Sequence, residues 1–71
     1  VEDALALVAV NLRRIRDEKG MTQDALAQAA SMDPSEIRRI ESASRDPGVR
    51  VLARLARGLG VPAAELLAGI G

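Results

Sequence analysis

The stretch from Gln23 to Glu41 reads QDALAQAASMDPSEIRRIE and holds two short helix signals with almost nothing between them. Thr22 stands as an N-cap before a helix over Gln23–Ala30, because its hydroxyl can accept one of the free backbone N–H groups at the helix start. Ser31-Met32 is the turn. Asp33 then caps a second helix that runs over about 34–42. Pro34 occupies its first position, where no amide hydrogen is missed. Glu36 follows three residues after the cap, so each member of the D-x-x-E pair can accept a free N–H. Two helices of this size with so short a joint predict a helix-turn-helix unit at about 22–42.

The second helix divides into two faces. Ile37 and Ile40 share one, three residues apart. Ser35, Arg38, Arg39 and Ser42 follow the i, i+3, i+4, i+7 spacing on the opposite face, with no carboxylate among them; Glu36 and Glu41 fall to the sides. Guanidinium and hydroxyl groups can donate to base edges and phosphates, which suits a helix lying in the DNA major groove. Taken alone, the helix fits an amphipathic rod with a solvated outer face better, since charged outer faces are the default.

The flanking chain supplies helices to pack against this unit. A first helix is predicted over about 2–19, with Leu5, Val8, Leu12 and Ile15 as its core stripe and Gly20 ending it. Arg13, Arg14 and Arg16 lie off the stripe, as do Leu7 and Val10. In the Gln23–Ala30 helix, Leu26, Ala27 and Ala30 face inward, and the alanines permit a close approach. A fourth helix over about 49–59 directs Val49, Leu52, Leu55, Ala56 and Leu59 inward and carries Arg50, Arg54 and Arg57 as an outer stripe. Gly58 weakens it by about 1 kcal/mol relative to alanine. Gly60-Val61-Pro62 closes it, and a short fifth helix over about 62–68 buries Leu66. Leu67 and Ile70 are left with little to pack against.

Composition narrows the function. Seventy-one residues make one small domain, 1–71, with a core workable without crosslinks. The absence of cysteine excludes a disulfide or a thiolate metal site and agrees with a reducing cytoplasm, the compartment expected. With no histidine and no aromatic residue, the chain lacks the commonest general base, the commonest metal ligand and any platform for stacking single-stranded bases. No cofactor or metal is expected. Apolar runs are too short to span a membrane, and no signal peptide is seen. Ten basic and ten acidic side chains give zero net charge, the main compositional argument against DNA binding. Distribution counts for more, because screening confines charge effects to about 8 Å at physiological salt. Glu2, Asp3 and Glu65 lie toward the chain ends.

The segments TQDALAQAA, I-x-x-I-E ending at Glu41, and LARGLGVPAAELL, in this order and spacing, resemble the lambda-repressor-like (XRE-type) family of helix-turn-helix domains. The resemblance covers about residues 8–67. It implies an all-α, compact five-helix domain with the helix-turn-helix at its second and third helices. It also implies a sequence-specific regulator of transcription that binds double-stranded DNA, expected as a homodimeric repressor on a (pseudo)palindromic operator.

The resemblance also assigns roles. Arg39 aligns with a base-reading position, where an arginine suits guanine O6 and N7. Ser35 and Arg38 are further base-reading candidates, and Pro34 can offer only an apolar contact. Thr22, Gln23, Ser42, Arg16, Arg45 and Arg50 are the expected phosphate contacts. Arg16 and Glu41 match a pair that joins the first helix to the end of the third. Leu67 and Ile70 are the expected dimer interface. Ser31 and Ala43 stand where the family usually has glycine, which puts the turn angle and the path of the loop 43–47 in question. An antitoxin-type protein that binds a toxin partner and autoregulates its operon is the alternative, favoured by the zero net charge and the spare apolar Leu7, Val10, Leu67 and Ile70. No nucleophile-and-base or metal-ligand spacing is visible, so no enzyme is expected.

Overall fold

The computed structural model describes residues 3–71. Four α-helices, α1 (Ala4–Glu18), α2 (Gln23–Ala30), α3 (Pro34–Glu41) and α4 (Val49–Leu59), precede a 3-10 segment, Ala63–Leu67. No strand occurs among the described residues. Asp3 caps α1 by accepting the N–H groups of Leu5 and Ala6 at 3.1 and 3.3 Å. The expected start at Glu2 lies outside the described residues.

At eight residues each, α2 and α3 are too short to persist alone in water. They hold because their apolar faces meet a shared core. Leu12, Ile15, Leu26, Ile37, Ile40, Leu55 and Leu66 are fully buried, and Met21, Met32, Val51, Leu52 and Val61 pack against them. Each buried Leu or Ile contributes about 1.5–3 kcal/mol. α1 lies against α3 and the 3-10 segment, while α2 lies against α3 and α4. The α2–α4 contact explains Gly58. A Cβ there would sit 3.2 Å from the Ala30 backbone nitrogen and 3.3 Å from the Leu26 Cδ1. Helix propensity is given up so that two backbones can approach.

Two expectations are corrected. The fifth helix is a 3-10 segment: Glu65 N–H bonds back to Pro62 O at 3.0 Å, and the few residues between Pro62 and Gly69 leave no room for a second α-helical turn. Val49 is 83% exposed rather than inward. Burial fades along α4 toward its start, from Leu59 and Leu55 through half-buried Leu52 to Val49 at the open end, and Val51 packs against the core in its place.

Both positions that lack the usual glycine keep the left-handed backbone. Ser31 has φ 55° and Ala43 φ 59°. Around Ala43 the end of α3 is closed by Ala43 N–H to Ile40 O (3.1 Å) and Ser44 N–H to Arg39 O (2.9 Å). A side chain in this conformation costs about 1–2 kcal/mol.

Candidate nucleic-acid interface

The second helix of the pair, α3, is fixed first at its start. Asp33 accepts Ser35 N–H at 2.8 Å, and Glu36 Oε1 accepts Asp33 N–H at 3.3 Å, closing the capping box with Pro34 in the first turn. The Ser35 backbone N–H, then its hydroxyl, hold the Asp33 carboxyl below its ordinary pKa, with smaller help from the charges of Arg38 and Arg39. Ile37 and Ile40, 0% and 1% exposed, anchor the inner face. Their burial turns Arg38 and Arg39 into solvent, where neither guanidinium forms an ion pair or hydrogen bond with any described residue. Ser35 and Pro34 are half-buried beside them. An eight-residue helix is about 12 Å long and 10–12 Å across with side chains. The major groove is about 12 Å wide.

One flank of α3 carries Glu41, whose side chain is 1% exposed. Arg16 donates Nε to its Oε2 (2.6 Å) and Nη2 to its Oε1 (3.1 Å), and Gln23 donates Nε2 to Oε1 (3.0 Å). Arg16 Nη1 also donates to Met21 O at 2.8 Å. One carboxylate thereby ties α1, the start of α2 and the end of α3 together. Burial pushes the Glu41 carboxyl up, but the hydrogen bonds from Arg16 and Gln23 and the charges of Arg16 and Arg13 together hold it below its ordinary value. The bond to Glu41 raises Arg16 correspondingly, against the opposing effect of its burial. The structure thus brings the expected pair together. It leaves Arg16 little for a phosphate: three of its five N–H groups are bonded, Nη1 also lies 3.4 Å from Asp17 Oδ1, and the side chain is 13% exposed. Gln23 keeps its amide oxygen and one amide hydrogen for a ligand.

The other flank carries Glu36. Its Oε2 pairs with the Arg45 guanidinium, with side chains 30% and 35% exposed. That bond, then the Asp33 N–H, lowers the Glu36 carboxyl below its ordinary value. Arg45, expected at a phosphate, is therefore turned back onto α3. Ser42 and Ser44 hydroxyls both donate to Arg39 O, at 3.0 and 3.1 Å, and lie 2.9 Å apart, so the loop after α3 is bonded to the backbone of the exposed arginine. Thr22 caps α2 through Ala25 N–H (3.0 Å) and keeps its own hydrogen to donate. Arg50 is exposed at the start of α4 and unpaired among the described residues.

Helix-turn-helix geometry with an unpaired cationic face is now in view, and the helix-turn-helix family model matches residues 12–66. The chain belongs to that family. An uncharacterized HTH-type transcriptional regulator of Sinorhizobium fredii, y4dJ, is 35% identical over 65 residues, which cover 92% of this chain and 84% of the relative. Among solved structures, the restriction-modification controller protein C.AhdI from Aeromonas hydrophila is similar with a TM-score of 0.85 and 29% identity, covering 87% of this chain and 94% of that one. The controller protein C.Esp1396I, solved as a tetramer in complex with its natural 35-base-pair operator, gives a TM-score of 0.85 and 33% identity, with 93% and 87% covered. The family's members include transcriptional regulators, and this chain is one by sequence and by fold.

Three features escaped the sequence reading. Asn11, 7% exposed, donates Nδ2 to Leu66 O (3.0 Å) and Ala68 O (2.9 Å), strapping the C-terminal segment to α1. An amide beside Leu12 in an otherwise apolar stretch was its signal. Arg13 donates Nη2 to Glu41 O at 3.4 Å. The Glu36–Arg45 pair spans a loop, and no helical spacing announces it.

Leu67 and Ile70 are 42% and 38% exposed, and Gly69 between them backs onto Leu7. Val10, 62% exposed, instead lines a groove of about 270 Å³ with Ala9, Arg13, Arg14, Asp17 and Glu41. No helix of the described residues is long and apolar enough to cross a membrane.

Proposed function

We propose that this chain, acting as one domain, is a sequence-specific regulator that binds double-stranded DNA as a homodimer, with α3 in the major groove. The observation that carries the reading is the combination on α3: both isoleucines buried, and Arg38 and Arg39 exposed and unpaired. Arg39 reads a guanine through O6 and N7, with Ser35, Arg38 and an apolar edge from Pro34 beside it. Gln23, Thr22 and Arg50 hold phosphates and set the register, and Ser42 joins them by turning its hydroxyl away from Arg39 O. The exposed Leu67 and Ile70 are the two-fold contact, so the operator has two inverted half-sites about one helical turn apart. The likeness to C.Esp1396I, a controller protein solved as a tetramer on its operator, supports operator binding here; repression as the outcome and the cytoplasm as its place are part of the same proposal. The chain acts by binding, without catalysis or a cofactor.

A selection from random duplex DNA at fixed salt tests this. The expected outcome is an inverted repeat with a guanine in each half-site. No enriched sequence, or an enriched site without symmetry, contradicts the regulator or the dimer respectively.

The second reading is an antitoxin-type protein, favoured by Val10, exposed on a groove separate from the Leu67–Ile70 patch. A partner protein that stays bound to the wild type and is lost on Val10→Asp supports it.

A further inference from the structure

We propose that Glu36 is a positioning residue that withholds Arg45 from non-specific duplex contacts. The inference rests on the duplex-binding reading above and names a device that sharpens it. Glu36 lies about 60° around α3 from Arg39, on the flank next to the exposed arginine. Its carboxylate is shared, with Oε1 taking Asp33 N–H and Oε2 taking Arg45. Ser44, the residue before Arg45, is bonded to Arg39 O through its backbone N–H and its hydroxyl, which lies 2.9 Å from that of Ser42. A duplex that meets Arg39 and Ser42 therefore also meets this loop.

The electrostatics follow from that placement. Arg45 can turn the Nη1 edge of its guanidinium to a phosphate only by leaving Glu36. The bare carboxylate would then stand on the flank of α3 beside a polyanion. This penalty is the same for every sequence, so it weakens binding to any duplex. Only a complex with matched bases has contacts to offset it. Because both side chains are about one-third exposed, the pair opens readily, and it tunes affinity without blocking binding.

The test is a double-mutant cycle read as salt dependence. Glu36→Gln keeps an acceptor for Asp33 N–H, so the capping box survives and only the clamp is lost. Glu36→Gln, Arg45→Gln, the double variant and wild type are titrated with a short random-sequence duplex over a salt series. Folding of each is checked by circular dichroism. Glu36→Gln is expected to bind more tightly than wild type, with a log K against log salt slope steeper by about 0.9, the value of one added phosphate contact. Over an about fourfold rise in salt it then loses about 3.5-fold more affinity than wild type. Adding Arg45→Gln to the Glu36→Gln variant should cancel that gain, whereas Arg45→Gln in the wild-type background should change the slope much less. Equal changes in both backgrounds mean two independent charges and overturn the inference. A wild type that binds no duplex at low salt overturns the proposed function as well, whereas a binding wild type with an additive cycle overturns this inference alone.

Discussion

Helix α3 is held at its two flanks by two ion pairs that differ in one physical respect. Glu41 and Arg16 meet with side chains 1% and 13% exposed, while Glu36 and Arg45 meet at 30% and 35%. The first pair lies where water cannot replace a lost partner, and the second where it can. The same two chemical groups therefore serve as a structural bolt on one side and as an adjustable clamp on the other.

The sharpest way to break this contrast is to delete Arg16. Arg16→Ala leaves Glu41 charged, buried and served only by Gln23 and the more distant Arg13 (3.8 Å). Stranding a buried charge costs about 3 kcal/mol. In a domain of this size that lowers Tm by roughly 12–24 °C. A melt within a few degrees of wild type shows that the Glu41 site is wetter than its geometry indicates. Arg45→Gln, measured alongside, should leave Tm close to wild type.

Arg39 lies between the two flanks and belongs to neither pair. Arg39→Ala should therefore leave melting unchanged and cost about 1–3 kcal/mol in binding, with preference relaxed at one base pair. Binding to a panel of operator variants checks it. A uniform loss across the panel assigns Arg39 to phosphate contact instead. Together with Arg16→Ala, this variant separates what holds the helix from what the helix presents.

The loop that carries Arg45 starts with a strained residue. Ala43 has φ 59°, a conformation glycine adopts freely. Ala43→Gly should raise stability by about 1 kcal/mol, read from denaturant unfolding. If it lowers stability instead, glycine's extra freedom in the unfolded chain outweighs the strain relieved, and Ala43 is helping to hold the clamp loop.

Much of this arrangement could be read from the residues, because it depends on short-range rules. The caps Thr22 and Asp33, the proline at the start of α3 and the spacing of Ile37 and Ile40 each act within a few residues, and the structure shows each where the spacing puts it. The bolt between Arg16 and Glu41 was legible only through a resemblance, since 25 residues separate the partners. Asn11 reaches 55 residues to Leu66 O and had no local rule to announce it. Val49 fits the apolar spacing of α4 but lies beyond the edge of the core, and spacing carries no information about where a core ends.

Acid and salt together separate the two flanks most finely. Both carboxylates have folded-state pKa values below their ordinary ones. Each therefore contributes stability that is fully present above the ordinary carboxylate range and is lost as pH falls through its lowered folded-state value. Neither contributes any change on the alkaline side of that range. Salt acts on only one of them. The Debye length is about 3 Å at 1 M, enough to screen a pair that water already reaches, whereas a buried pair is screened much less. Carboxyl titration by NMR at low and at high salt should find Glu36 moving up toward its ordinary value while Glu41 stays low. The remaining depression of Glu36 then measures the Asp33 N–H bond, which salt does not screen. If both carboxyls move together, water reaches Glu41 as readily as Glu36, and the division into bolt and clamp fails.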